Sequence, residues 1–366
     1  MHAVAFHAFV TGYPGFIAKR LVAFLAKQNP RGRLTVLVQP KFVAEATRLI
    51  SRLEGAAVDV VSGDVADMHL GLAGPEYEAL VGSVTHVFHL AANSSLDAPR
   101  ELARKVNVLG TRHVLELAQE CTRLMRLMHF STCYVAGTRV GVIAEDELEA
   151  GQTFRSAYEE TKYEAERLVK RASQKLPVTI IRPATVVGDS KTGEVDRFEG
   201  PYSLGILLVL SPLVLPLPLP GNGVAPLNVV PVDFVVEATW ALAQSKKAVG
   251  ATVHLVDPNP MSARRAYELI ADRANRKLPR FTLSARATDL FLRIPGVEKM
   301  ARPQRAALSY VNHLALYNCR RALDLLADSG VRCPPLERYL DKLITFALET
   351  WKARKDERPE VDDPLA

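Results

Sequence analysis

The sequence predicts an α/β fold: a doubly wound parallel sheet followed by a smaller, mostly helical C-terminal region. Three observations predict it. Short, nearly continuous apolar runs alternate with helix-length segments through the first half of the chain, as strands covered on both faces by helices do. A glycine-bearing turn, Thr11 to Ala18, joins the first run to the first helical segment. Beyond Gly188 the alternation stops, and from Met261 onward amphipathic helix dominates. The chain has 366 residues, more than the usual single domain, and a core of that size needs no disulfide staples. With 48% hydrophobic and 23% charged residues it is not a disordered, collagen-like or disulfide-scaffold protein.

In chain order, strands are expected at 3–10, 34–38, 57–61, 85–90, 127–131 and 178–182, with helices at 15–28, 42–53, 99–120 and 156–175. Right-handed crossovers wind such a series into one sheet. Residues 188–225 are rich in Gly, Pro and Leu and have no period. An extended run at 227–232, a helix from Asp233 and a strand at 252–256 follow, and 335–353 reads as an amphipathic helix.

The net charge of +6 is spread along the chain, which suits anionic small molecules and disfavours a nucleic-acid surface, where charge clusters. Cys121, Cys133, Cys319 and Cys333 include no Cys-x-x-Cys pair, so neither zinc nor any other metal is expected. Reduced thiols, and a first strand too close to Met1 for a signal sequence, give the expectation of a cytoplasmic protein. The run LGILLVLSPLVLPLPL at 204–219 is too short and too proline-marked for a transmembrane helix. A buried or lipid-touching loop is compatible with it, and so is peripheral membrane contact.

Three constellations carry chemistry. In Thr11-Gly12-Tyr13-Pro14-Gly15-Phe16-Ile17-Ala18, Gly12 permits a tight turn and Gly15 a close approach of the backbone to a pyrophosphate at the helix N-terminus, which points to dinucleotide binding. At the end of the second strand stand Gln39, Pro40 and Lys41 where an NAD site usually places an acid. Lys41, with Arg48, either meets a 2′-phosphate or is solvated surface charge, and NADP(H) is the expected cofactor, with NAD(H) as the second. Tyr158-x-x-x-Lys162 puts both side chains on one helical face. An ammonium there is expected to lower the phenol pKa and make a general acid/base. Ser131-Thr132, ahead of this pair, ends a strand at the sheet's carboxyl edge.

The chain resembles an extended short-chain dehydrogenase/reductase, with a Rossmann core. The residues that carry the resemblance are Thr11-Gly12-x-x-Gly15, Gly63-Asp64, His89-Leu90-Ala91-Ala92, Asn107-Val108-x-Gly110-Thr111, Phe130-Ser131-Thr132, Tyr158-x-x-x-Lys162, Arg182-Pro183-Ala184-Thr185 and Val230-Pro231-Val232-Asp233. Within that superfamily it is most similar to fatty acyl-CoA reductases and carrier-thioester reductases. The resemblance implies that Thr132 orients a substrate carbonyl, Tyr158 donates a proton, and Lys162 holds the ribose and tunes the tyrosine. It also implies that Asp64 and Val65 contact adenine, that Ala91 and Ala92 wall the pyrophosphate and ribose, and that Pro183 and Thr185 border the cofactor. Asn107 joins the catalytic set or merely knits its helix to the sheet. His86, His89 and His129 read as core groups, and Tyr134 and Tyr163 as packing residues. Ala18 and Cys133 depart from the usual pattern without breaking the chemistry.

The expected organisation is a dinucleotide-binding core at 1–188, an apolar substrate-side insertion at 189–226, a return to the core at 227–257 and a helical substrate or cap region at 258–366. The expected activity is NADP(H)-dependent reduction of a carbonyl or acyl thioester on a hydrophobic, fatty-acyl-like substrate. The run at 204–219 would form the acyl wall, or else pack in a core or homodimer. The alternative is a sugar-nucleotide epimerase or a sterol-type alcohol dehydrogenase. Cys133-Tyr134 after the threonine disfavours a dehydratase, which carries Asp-Glu there.

Overall fold

The computed structural model describes residues 5–196, 223–273 and 312–356. The strands are β1 (His7–Thr11), β2 (Arg33–Val38), β3 (Ala57–Ser62), β4 (His86–His89), β5 (Arg126–Phe130), β6 (Gly141–Ile143), β7 (Val178–Pro183), β8 (Thr185–Val187), β9 (Val229–Pro231), β10 (Thr252–Leu255) and β11 (Ala315–Tyr317). The helices are α1 (Phe16–Gln28), α2 (Val43–Ile50), α3 (Gly74–Ser83), α4 (Arg100–Arg104), α5 (Gly110–Glu120), α6 (Ala157–Ala172), α7 (Val232–Gln244), α8 (Ala263–Arg273), α9 (Arg320–Leu326) and α10 (Leu340–Asp356).

Seven strands form one parallel sheet in the order β10-β7-β5-β4-β1-β2-β3, the doubly wound Rossmann arrangement that the alternation predicts. Its order reverses between β1 and β4, so the crevice for a ligand opens at the carboxyl ends of these two strands. On one face, Phe9, Val87, Leu127 and Val178 of the sheet pack with Leu80 of α3, Leu117 of α5 and Val169 of α6. On the other, α1 lies beside α7.

Four short elements, α3, β6, β8 and β11, escape the sequence reading. Helix α3 is short and offers only Tyr77 and Leu80 to the core, too few apolar positions for a visible period. The parallel pair β6–β11 joins residues 141–143 to 315–317, a pairing that no local pattern encodes.

The chain divides into two units. The first holds residues up to 186 together with 232–258 and 315–333, and the second holds 187–231, 259–314 and 334 onward. The expected C-terminal region 258–366 is therefore split. Residues 315–333 belong with the sheet, because β11 pairs with β6 and the Glu145 carboxylate accepts the backbone N–H groups of Arg321 and Ala322 at the start of α9. In the second unit Val187, Val229, Ala266, Leu336, Leu340 and Leu343 form the core, and Arg273 pairs with Asp341. The apolar run at 204–219 lies outside the described residues. Among the described residues no helix is long and apolar enough to cross a membrane, and no group of His, Cys, Asp and Glu is arranged to hold a metal.

Candidate active site

The turn after β1 is shaped by backbone proximity. Gly12 has φ +87°, and a Cβ there would stand 2.7 Å from the Ala91 amide nitrogen. A Cβ on Gly15 would stand 2.7 Å from the Gly12 carbonyl. Gly15 is also the N-cap of α1 and has no side chain to cap the orphan N–H groups of the first turn, so these amides are left to an anion. The cradle therefore fits a pyrophosphate. Tyr13 is buried, Pro14, Phe16 and Ile17 are half-buried or partly exposed, and Arg20 covers the Phe16 ring 4.3 Å from its centroid.

Thr11 serves this turn from beneath. It is fully buried, and its hydroxyl accepts the Leu90 and Ala91 amides at 3.2 and 3.1 Å and pairs with His89 Nδ1 at 2.8 Å. Thr11 thus fixes the β4 exit, on which Ala91 and Ala92 lie. His89 pairs through its other nitrogen with Thr111, and burial pushes its pKa down to about 3, so it is a neutral strut.

At the ends of β2 and β3 the Gln39 amide donates to Asp64 at 2.8 Å, and the other Asp64 oxygen accepts the Ala66 N–H at 2.9 Å. The acid missing from the end of β2 is thereby matched by one reaching across from β3. Val65 is buried, and His113 bonds its carbonyl at 2.9 Å. No feature of the sequence singles out His113, a polar residue on the buried side of α5. Lys41 lies over the Phe42 ring, 4.9 Å from its centroid, and Arg48 is exposed on α2.

The Tyr/Lys pair rides on α6. Ser156 caps this helix by accepting the Glu159 N–H, while Glu159 reaches back to the Arg155 N–H, a reciprocal arrangement worth about 1 kcal/mol. The cap sets the helix so that Lys162 turns inward. Its Nζ donates to the Phe130 carbonyl at 2.5 Å, and the residue is 3% exposed. Thr132, at the end of β5, accepts the Tyr134 N–H at 3.2 Å, and its hydroxyl is near enough to the Tyr158 phenol to favour the phenolate. Tyr134 in turn bonds Thr185 at 2.6 Å, next to Pro183 at the end of β7, so it does more than pack.

The electrostatics differ from the sequence expectation. Burial pushes the Tyr158 phenol up to about 12, against the pull of the Thr132 hydroxyl. Burial also brings Lys162 down to about 8, while Glu166 raises it. The ammonium spends its bond on the Phe130 carbonyl, so the desolvation of Tyr158 wins. Tyr158 therefore stays neutral across the physiological range.

Asn107 sits on a π-helical turn, Lys105–Leu109, between α4 and α5. Its oxygen accepts the Asn93 N–H at 2.7 Å, and its amide donates to the Asn93 carbonyl and to Thr161 at 3.1 and 2.9 Å. Both ends of the side chain are thus used in tying the β4 exit loop to α6. Cys133 is buried, donates to the Arg182 carbonyl, and has its pKa pushed well above the ordinary thiol range by burial, so it is unreactive.

The family described as "Male sterility protein", an NAD-binding family, matches residues 10–239. The fatty acyl-CoA reductase wat of Drosophila melanogaster is 27% identical over 285 residues, covering 65% of this chain and 54% of that protein. A linear gramicidin synthase polypeptide of Brevibacillus parabrevis is 24% identical over 372 residues, covering 95% of this chain and 7% of that protein. Among solved structures, the terminal R domain from the myxalamid PKS-NRPS biosynthetic pathway superposes with a TM-score of 0.78 at 27% identity, covering 98% of this chain and 94% of its own. The chain thus spans about half the length of one curated relative and a small part of the other.

Proposed function

We infer the function from one premise: the chain belongs to the male sterility protein family. It is an NAD(P)-dependent oxidoreductase that reduces an acyl thioester or carbonyl on a hydrophobic, fatty-acyl-like substrate, with NADP(H) preferred. What supports this reading is the meeting of Thr132, Tyr158 and Lys162 at the carboxyl edge of the sheet that also carries the Gly12–Gly15 cradle. The acyl character comes from the likeness to a fatty acyl-CoA reductase and from the apolar run at 204–219.

When bound, the nicotinamide cofactor supplies the hydride. Thr132 and Tyr158 hold the substrate carbonyl by its oxygen. Tyr158 gives its proton to the oxyanion that develops there, which a phenol with a pKa of about 12 can do while staying protonated at pH 7. Lys162 holds the ribose and offsets the charge left on the phenolate. Asn107 acts through Asn93 and Thr161, as a positioning residue. Turnover with an acyl-CoA, a UDP-sugar and a hydroxysteroid tests the reading: only the first should be consumed with NADPH, and turnover of either of the others instead would make the chain an epimerase or an alcohol dehydrogenase.

The cofactor preference rests on Gln39, Lys41 and Arg48. The expected result is a higher kcat/KM for NADPH than for NADH, reduced by Lys41→Glu; a higher value for NADH would refute the preference. Gln39→Asp is expected to weaken both cofactors, because a second carboxylate would then face Asp64 across what is now a 2.8 Å hydrogen bond.

The acyl wall is tested by Leu207→Asp and Leu213→Asp. The expected outcome is a KM raised for long-chain substrates far more than for short ones, and equal loss at all lengths would assign the segment to a core.

A further inference from the structure

The inward face of α6 carries more charge than proton donation needs. Glu166 lies one helical turn beyond Lys162 and is fully buried. Its carboxylate accepts from the Ser131 hydroxyl at 2.5 Å and from Arg182 through Nε at 3.0 Å and Nη2 at 2.5 Å. Arg182, 1% exposed in an internal strand with no other charge, also meets the Glu145 carbonyl and His254 Nε2 at 3.3 and 3.2 Å. A carboxylate held this way is costly to bury, and such groups persist where they fix a geometry.

We propose that Glu166 is a positioning residue, which keeps Lys162 charged and holds the Ser131–Thr132 strand end against α6. The proposal rests on the roles given above to Thr132 and Lys162. Two bonds tie α6 to this strand end: Lys162 to the Phe130 carbonyl, and Glu166 to the neighbouring Ser131 hydroxyl. Between them they set where Thr132 stands relative to Tyr158.

The surroundings of Lys162 leave Glu166 as its one compensating charge among the described residues that face it. From β4 comes His89 and from β5 His129, both kept neutral by burial. From β7 comes Arg182, a cation, and on α6 itself stands Tyr158, protonated. Farther off, Cys133 and His254 are neutral, and the Glu145 carboxylate is occupied by the backbone N–H groups of His254, Arg321 and Ala322. Glu160 and Glu164 of α6 point outward to Arg100 and Arg104, and the buried Glu159 is paired with Arg155. Without Glu166, two buried cations would remain with no adjacent anion, and the lysine is the one that can shed its proton.

The experiment is the pH dependence of kcat/KM for NADPH, which reports groups of the free enzyme. In the wild type it should fall above pH 8, where Lys162 loses its charge. Lys162→Ala should abolish that limb. If the limb persists in Lys162→Ala, it belongs to another group and the role of Lys162 fails, whatever Glu166 does. In Glu166→Gln the limb should move to lower pH by about one unit, roughly a fivefold loss at pH 8, while Glu166→Asp, which keeps the charge, should leave it in place. Glu166→Gln with Arg182→Met removes both buried charges together and guards against simple unfolding; with the Arg182 cation gone as well, the limb should lie between its wild-type position and that of Glu166→Gln. If the limb vanishes in Lys162→Ala yet stays at its wild-type pH in Glu166→Gln and in the double variant, the role of Glu166 is overturned.

Discussion

Tyr158→Phe is expected to lower kcat by about two to four orders of magnitude, the range that a positioned general acid contributes. The dissociation constant for NADPH should stay within a few-fold of wild type. The substitution keeps the ring and removes one hydroxyl, the group that meets Thr132. The ring's packing on α6 remains, and so do the Lys162 bond to Phe130 and the Gly12–Gly15 cradle, neither of which touches the phenol. Fluorescence titration with NADPH alongside single-turnover reduction separates the two quantities. Turnover near the wild-type rate would remove Tyr158 as the acid. Parallel loss of cofactor affinity would move its role to the ribose side.

Arg182→Met is expected to destabilise the first unit by about 3–5 kcal/mol, the cost of leaving one member of a buried ion pair without the other. Arg182 and Glu166 are 1% and 0% exposed, so water cannot take over the lost bonds. The carboxylate would keep the Ser131 hydroxyl, and His254 Nε2 would lose its partner. Equilibrium denaturation should show a lower midpoint at pH 7, and adding Glu166→Gln should recover most of the loss, because a buried pair replaced by neutral groups is often close to neutral in stability. An unchanged midpoint in the single variant would mean that this pair contributes no net stability, and no recovery in the double variant would mean that the Arg182 bonds to Glu145 and His254 matter more.

Much of the site can be read in the sequence because its parts are local. The glycine turn, the four-residue spacing of Tyr158 and Lys162, and the hydroxyls at the end of β5 each lie within one turn or one strand end. Glu166 is hidden for a related reason. In AYEETKYEAERLVKRA it looks like one more solvated charge, although it continues the spacing of Tyr158 and Lys162 with Val169 close behind. Arg182 carries the plainer signal: a cation inside VTIIRP, an internal strand with no other charge, must have a buried partner. Nothing in the one-dimensional pattern says that this partner is Glu166.

Periodicity and short motifs report local geometry and burial, and they were enough for the doubly wound parallel sheet and for the place of the Tyr/Lys helix at its carboxyl edge. The protonation of the site came from the folded arrangement alone. Proximity of Lys162 suggested a lowered phenol pKa, whereas burial sets it near 12 and turns the ammonium to the Phe130 carbonyl. The folded arrangement also has Asn107 and Thr11 spend their hydrogen bonds on the scaffold, brings Asp64 to Gln39, and returns residues 315–333 to the sheet. The physical reason is common to all of these. Desolvation and hydrogen-bond pairing depend on which distant segments close over a group, and a single chain's spacing does not contain that information.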